Sequence, residues 1–168
     1  TLGLGRADMD AFAVESLRRA NAAIANGDFK AEIVAVPVST RKGEVLVDTD
    51  EQPGNANPEK IPTLKPAFAK DGTITAANAS SISDGASALV LMKESKAREL
   101  GLQPLARIVG HSTQSQDPSE FTIAPIGAFA TLFAKTGWSA DSVDLFEINE
   151  AFAMVTMAAM MKHNIPHD

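Results

Sequence analysis

The chain has 168 residues, and its 15 Lys and Arg against 21 Asp and Glu give a formal net charge of −6 at pH 7. An acidic chain lacks the basic stripe of nucleic-acid binders, so we expect no nucleic-acid partner. No apolar run reaches the roughly 18 residues of a membrane span, and we expect no membrane partner either. The absence of cysteine excludes a disulfide framework, a thiolate metal site and a cysteine nucleophile within these residues.

The first part of the sequence predicts a helix and a hairpin. Apolar residues recur at spacings of three and four from Met9 to Ile24, which predicts an amphipathic helix that starts at Arg6 and is ended by a left-handed Gly27. Two β-rich runs, 33–38 and 45–47, flank a short charged segment and predict a β-hairpin. Residues 48–66 then hold four prolines and are predicted to be an irregular loop of the kind that is usually functional or disordered.

From Thr73 onward the sequence alternates between strand and helix patterns. Three apolar runs are predicted to be buried strands, and each is followed by a helical segment. Such alternation is typical of parallel βαβ units and of an α/β fold. Because three strands make only a thin sheet, we expect the chain to be part of a larger protein. The predicted strands are 86–92, 105–109 and 143–148, and the predicted helices are 94–100, 127–136 and 150–162.

Two polar segments are candidates for chemistry, and each has two readings. Asn149 follows a predicted strand and precedes a helix, where its amide can fix a water or a reacting carbonyl oxygen, or can simply cap the helix. The segment 73–85 contains eight small polar or Gly residues among thirteen, which suits either a ligand-contacting loop or a turn that leads into a strand. The three histidines lack the spacing of a metal site, and we expect no bound metal.

The motifs around these segments resemble the thiolase family of acetyl-CoA acetyltransferases and 3-ketoacyl-CoA thiolases. Asn149-Glu150-Ala151-Phe152-Ala153 is similar to the family's NEAFA motif. Other family-like stretches follow in the family's order, so that the resemblance covers about residues 6–165. These stretches are Asp10-Ala11-Phe12-Ala13, 27–34, 64–68, 72–80 and Ser83-Asp84-Gly85-Ala86.

The resemblance implies an incomplete thiolase-like α/β fold, with parts of two layered α/β halves and a segment of an α+β loop domain. Residues 1–81 are expected to be the latter part of the loop domain. Residues 82–104 are expected to end the N-terminal half, and residues 105–168 to begin the C-terminal half. The chain would then be an internal segment of a longer enzyme.

The resemblance also implies an activity for that parent protein. Thiolases transfer acyl groups to or from coenzyme A, by condensing two acyl-CoA molecules or cleaving a 3-ketoacyl-CoA, through a cysteine nucleophile that this chain lacks. A histidine and a second cysteine of the family lie downstream. Because the segment has no nucleophile, we expect it to be inactive alone. Two alternatives remain open, namely a non-catalytic CoA-binding or oligomerisation module and another condensing enzyme of the wider thiolase superfamily.

Six residues match functional positions of the family motifs. Asn149 matches the catalytic amide that holds the water of an oxyanion hole, and Ala151, Phe152 and Phe121 match positions beside the acyl group. Ser80 matches a serine that meets the pantetheine arm of CoA, and Phe68 matches an aromatic residue near that arm.

The chain departs from the family pattern in two places. Pro53 and Lys60 stand where some relatives carry an arginine and a serine near the nucleotide end of CoA, and Ala124-Pro125-Ile126-Gly127 replaces the commoner Gly-Pro-Ile-Pro.

The resemblance also suggests partners and a setting. We expect coenzyme A as a substrate, acyl-CoA partners and no tightly bound cofactor. We further expect the parent to be a homodimer or homotetramer with a role in fatty acid metabolism. By default we expect it to be cytoplasmic.

Overall fold

A computed structural model describes residues 2–167 of the chain. The described residues fall into two compact units, the first ending at Ala79 and the second beginning at Ser80. The predicted domain boundaries after residues 81 and 104 stay predictions. None of the helices among residues 2–167 is both long enough and apolar enough to cross a membrane.

The first unit is built on a long helix, α1 (Arg6–Asn26). Its start is fixed by the Asp8 carboxylate, which accepts a hydrogen bond from the Gly5 backbone N–H at 2.8 Å. Gly27 ends it in the left-handed conformation, with φ at +73°, as the sequence predicts. The apolar stripe is buried only in the first half of α1, at Met9, Phe12 and Ala13, where the helix packs on the 3₁₀ helix Pro58–Thr63.

The hairpin is confirmed as strands β1 (Val36–Thr40) and β2 (Gly43–Val47). The antiparallel register pairs Val36 with Val47 and Thr40 with Gly43, so Arg41 and Lys42 form a two-residue turn. Every residue of both strands is exposed. The proline-rich stretch 48–66 is more regular than predicted, because it contains a short helix, α2 (Glu51–Asn55), and the 3₁₀ helix Pro58–Thr63.

The second unit contains three further helices and two 3₁₀ turns. They are α3 (Glu94–Glu99), the 3₁₀ helix Pro118–Ile123, α4 (Ala124–Thr136), the 3₁₀ helix Ala140–Ser142 and α5 (Ala153–His163). All three predicted helices are present, but α4 begins three residues earlier than predicted and α5 three residues later. Pro125 in the first turn of α4 explains the early start, since proline favours that position.

The prediction of three buried strands is wrong for this chain as it stands. Segments 86–92, 105–109 and 143–148 form no strands, and the hairpin is the only β-sheet among the described residues. Most of their apolar side chains are exposed, Leu105 and Leu145 by at least 89%, whereas Val143, Phe146 and Ile148 are half-buried. A strand needs a hydrogen-bonded neighbour, and within the described residues none lies beside these segments.

Candidate functional site

Helices α4 and α5 pack around a cluster of aromatic rings in the second unit. Phe129 lies against Phe133, Phe146 and the imidazole of His163, with ring centroids 5.6–6.1 Å apart. The His163 Nε2–H donates a hydrogen bond to the Ile126 carbonyl at 3.0 Å. This cluster holds the first turn of α4 against the last turn of α5. Its Phe129 also lines the neighbouring cavity.

A cavity of about 460 Å³ opens beside this cluster. Its walls come from the start of α4, from the 3₁₀ helix before it and from the segment that leads into α5. The lining residues that matter for chemistry are Gln114, Phe121, Phe129, Glu147, Asn149 and Ala151. The cavity therefore combines an apolar surface with a few polar groups, the combination expected of a small-molecule site.

Asn149 lies on the wall of this cavity and does not cap the following helix. Helix α5 begins at Ala153, and Phe152 occupies its N-cap position. The capping interpretation of Asn149 is therefore wrong. Its exposed amide offers two N–H donors and a carbonyl acceptor to whatever enters the cavity.

Two hydrogen bonds and one ring contact fix the segment that follows Asn149. The Ser80 backbone N–H donates to the Ala151 carbonyl at 3.0 Å, and the Ser80 hydroxyl donates to the same oxygen at 3.3 Å. The ring of Phe152 meets that of Phe121 edge to face, with centroids 6.3 Å apart. These contacts place four of the predicted site residues, Ser80, Phe121, Ala151 and Phe152, around one stretch of backbone.

Phe121 is carried by a 3₁₀ helix that an aspartate caps. The Asp117 carboxylate accepts hydrogen bonds from the Ser119 hydroxyl at 2.7 Å and from the Ser119 backbone N–H at 2.9 Å. These bonds favour the charged carboxylate and hold the pKa of Asp117 below its ordinary value. The turn that presents Phe121 is thus fixed through its first residues.

The sixth predicted residue, Phe68, belongs to the first unit, where its side chain is 79% exposed. The backbone next to it is anchored, because the Ala67 N–H donates to the Ile74 carbonyl at 2.8 Å. The polar segment that contains Ile74 is held in turn by a buried asparagine, Asn78, whose side chain bonds to Thr73, Thr75 and Asp10.

Two family profiles together match most of the chain. Residues 1–95 match the profile of the thiolase N-terminal domain, and residues 102–168 match that of the thiolase C-terminal domain. The chain belongs to the thiolase family. The α/β fold class expected from the resemblance is confirmed, with a structure that is partial and of thiolase type.

Two curated thiolases are identical to this chain at close to half of the aligned residues. The chain is 49% identical over 163 residues to an acetyl-CoA acetyltransferase of Yarrowia lipolytica and 48% identical over 158 residues to one of Pseudomonas aeruginosa. These matches cover 97% and 93% of the chain but only 41% and 40% of the relatives. The chain thus spans about two fifths of the length of the thiolases it matches.

Solved thiolase structures superpose on nearly the whole chain. The acetyl-CoA acetyltransferase of Bacillus anthracis matches with a TM-score of 0.91 at 43% identity, covering 97% of this chain and 42% of its own. A thiolase of Ascaris suum in complex with coenzyme A matches with a TM-score of 0.89 at 40% identity and the same coverage.

Several residues that line the cavity of this thiolase segment were not predicted from the sequence. Gln114, Phe129 and Glu147 line the cavity without belonging to a recognisable motif. Glu147 lies two residues before Asn149, and this alternation was the one available signal, because residues two apart in an extended segment share a face. The functional roles of the six predicted residues stay predictions.

Proposed function

We propose that the complete polypeptide carrying this chain transfers acyl groups to or from coenzyme A, as a thiolase does. The observation that carries the proposal is the cavity of the second unit, which places the Asn149 amide on one wall together with Ala151 and Phe121. Membership of the thiolase family supports it. Coenzyme A as a substrate is further supported by the Ascaris suum relative, which was solved in complex with it.

In the cleavage direction, the thiolate of a cysteine outside this chain adds to the keto carbon of a 3-ketoacyl-CoA. The bond between that carbon and its neighbour then breaks, and the electron pair moves onto the thioester oxygen as an enolate, which is afterwards protonated at carbon. The acyl group left on the cysteine passes to the sulfur of free coenzyme A. The condensation direction runs the same steps backwards.

Asn149 is proposed to stabilise the enolate oxygen through a water molecule that its amide holds. A histidine outside this chain would supply the other donor. Preorganised donors of this kind typically contribute about 10²–10³-fold to kcat when they contact the oxyanion directly. The exposed amide of Asn149 and its place on the cavity wall suit this role.

The remaining predicted residues are proposed to bind substrate. Ala151, Phe152 and Phe121 would surround the acyl group, while Ser80 and Phe68 would meet the pantetheine arm. A homodimeric or homotetrameric assembly, a cytoplasmic location and a role in fatty acid metabolism are further parts of the proposal that rest on the family resemblance.

One observation favours a second function for the chain taken by itself. None of its 168 residues is a cysteine, so the chain has no nucleophile for acyl transfer. Alone it would act as a non-catalytic CoA-binding or oligomerisation module.

The experiment begins with the intact mass of the native polypeptide, for which we expect more than twice 17.7 kDa. That polypeptide and the 168-residue chain are then assayed side by side for cleavage of acetoacetyl-CoA by free coenzyme A. We expect turnover by the longer polypeptide and none above background by the chain. Turnover by the chain alone, or none by the longer polypeptide, would overturn the proposal, and in the latter case CoA binding by calorimetry tests the non-catalytic function.

A further inference from the structure

The side chain of Gln114 lies directly over Gly127, in the first turns of α4. A Cβ atom added at Gly127 would come within 2.7 Å of the Gln114 Cδ and 2.9 Å of its Cγ. Those distances are shorter than real Cβ contacts, so Gln114 holds its position only because residue 127 has no side chain. Glycine is among the poorest helix formers. The space that Gly127 leaves for the Gln114 side chain gives a physical reason for a glycine at this position of α4.

Gln114 also forms part of the cavity wall that Asn149 and Phe121 share. Gln114 is exposed, so its amide is accessible to solvent. Among the described residues its amide makes one hydrogen bond, a long one of 3.3 Å from Nε2 to the Ser115 carbonyl. Within residues 2–167, most of the hydrogen-bonding capacity of this amide is therefore left to solvent.

An acyl chain that reaches this wall would remove the Gln114 amide from solvent. At about 460 Å³ the cavity has room for much more than an acetyl group, since one water molecule takes up only about 30 Å³ of liquid. Volume alone therefore does not restrict the acyl chain to a short one. An alkyl chain that covered the Gln114 amide would displace its water and return no hydrogen bond, which is unfavourable.

From this geometry we propose that Gln114, kept in place by Gly127, is a specificity-determining residue that disfavours long alkyl chains in the acyl cavity. The inference rests on the proposed function and deepens it by naming the substrate class, short-chain 3-ketoacyl-CoA. A short acyl group stops before it reaches the amide and leaves its hydration intact. A long one covers the amide and loses binding in the transition state as well as in the ground state.

The test compares acetoacetyl-CoA with 3-ketooctanoyl-CoA in the full-length enzyme. The measured quantity is the ratio of the two kcat/KM values, the longer substrate over the shorter. In Gln114→Leu, which keeps the approximate size and removes the amide, we expect this ratio to rise by about 5- to 150-fold. That range corresponds to relieving one unpaired amide.

Two further variants separate the position of the amide from a general change of the surface. Gly127→Ala adds a methyl group where the Gln114 side chain now lies, and it also favours the helix. We expect the flexible Gln114 side chain to move aside and the ratio of the two kcat/KM values to rise, as in Gln114→Leu. Gln116→Leu makes the same substitution two residues along, at an exposed residue outside the cavity lining, and leaves the ratio at the wild-type value.

The possible results distinguish a failure of the proposed role of Gln114 from a failure of the proposed function. A ratio in Gln114→Leu that stays within about twofold of wild type, or falls, overturns the role of Gln114 while the proposed function stands. An equal rise in Gln116→Leu overturns it too, since the effect would then not depend on the cavity wall. A wild-type enzyme that cleaves neither substrate refutes the proposed function, and the role of Gln114 with it.

Discussion

Replacing Asn78 by alanine removes the centre of a buried polar network in the first unit. The Asn78 Oδ1 accepts the Thr75 backbone N–H at 2.8 Å, and its Nδ2 donates to the Thr73 carbonyl at 2.9 Å and to the Asp10 Oδ1 at 3.2 Å. Asn78, Thr75 and Asp10 are all at most 5% exposed. The Arg6 Nε, which donates to the other Asp10 oxygen at 2.6 Å, remains in place.

The magnitude follows from the groups that lose their partner. The variant leaves the buried Thr75 N–H without an acceptor and the buried Asp10 carboxylate with fewer donors, and each such group costs about 1–3 kcal/mol. Because water enters part of the space, we expect the local free energy of opening to fall by about 2–4 kcal/mol. A decrease of that size accelerates amide exchange by about 30- to 900-fold.

Native-state hydrogen exchange, read at the Thr75 amide, is the appropriate assay. It reports the local unit, whereas a single unfolding curve for a chain of two units need not be two-state. Asn55→Ala provides the control, because Asn55 is exposed at the end of α2 and should leave the exchange of Thr75 unchanged. If Thr75 exchange in Asn78→Ala stays within about threefold of wild type, the network does not hold the 73–78 segment in place.

Two further predictions concern the helices. The hydrogen bonds from Arg18 and Arg19 lower the pKa of Glu15 from 4.5 to about 2, so the carboxylate stabilises α1 above pH 4.5 and the stabilisation is lost as the pH falls toward 2. Carboxyl NMR titration should give that low pKa, and in Glu15→Gln the helicity of α1 should no longer depend on pH through this group; a pKa near 4.5 would contradict the assignment. In His163→Ala, the loss of the bond to the Ile126 carbonyl and of the aromatic contacts should lower the stability of the second unit by about 1–3 kcal/mol. The exposed His111→Ala serves as the control in native-state hydrogen exchange of the α4 amides, and equal exchange in the two variants would argue against a packing role for His163.

The sequence predicted the helices because their signals are local. The left-handed Gly27 ends α1 as predicted, and α4 ends at the predicted Thr136, before the left-handed Gly137. The apolar spacing identifies the helical segments themselves. The three strands were not predictable in the same way, because a strand forms only against a neighbour. The apolar runs 86–92, 105–109 and 143–148 have no such neighbour among the described residues, so they form no strands and most of their apolar side chains are exposed.

The candidate site was predicted in part. The resemblance to thiolases singled out Asn149, Ala151 and Phe121, which the structure places on one cavity. It did not reveal Gln114, whose place depends on a contact with Gly127, thirteen residues away in sequence. Contacts of this kind are made by packing between segments and leave no periodic pattern in the sequence.

The most direct measurement of the central claim is the kcat of Asn149→Ala for cleavage of acetoacetyl-CoA in the full-length enzyme. Because Asn149 acts through a bound water, we expect kcat to fall by at least about tenfold and by no more than the 10²–10³-fold that loss of a direct oxyanion-hole donor costs. The circular dichroism spectrum of the variant should be unchanged. The exposed Asn55→Ala should retain the wild-type rate. An Asn149→Ala enzyme with a kcat within about threefold of wild type would contradict the account, because the Asn149 amide would then have no part in stabilising the enolate.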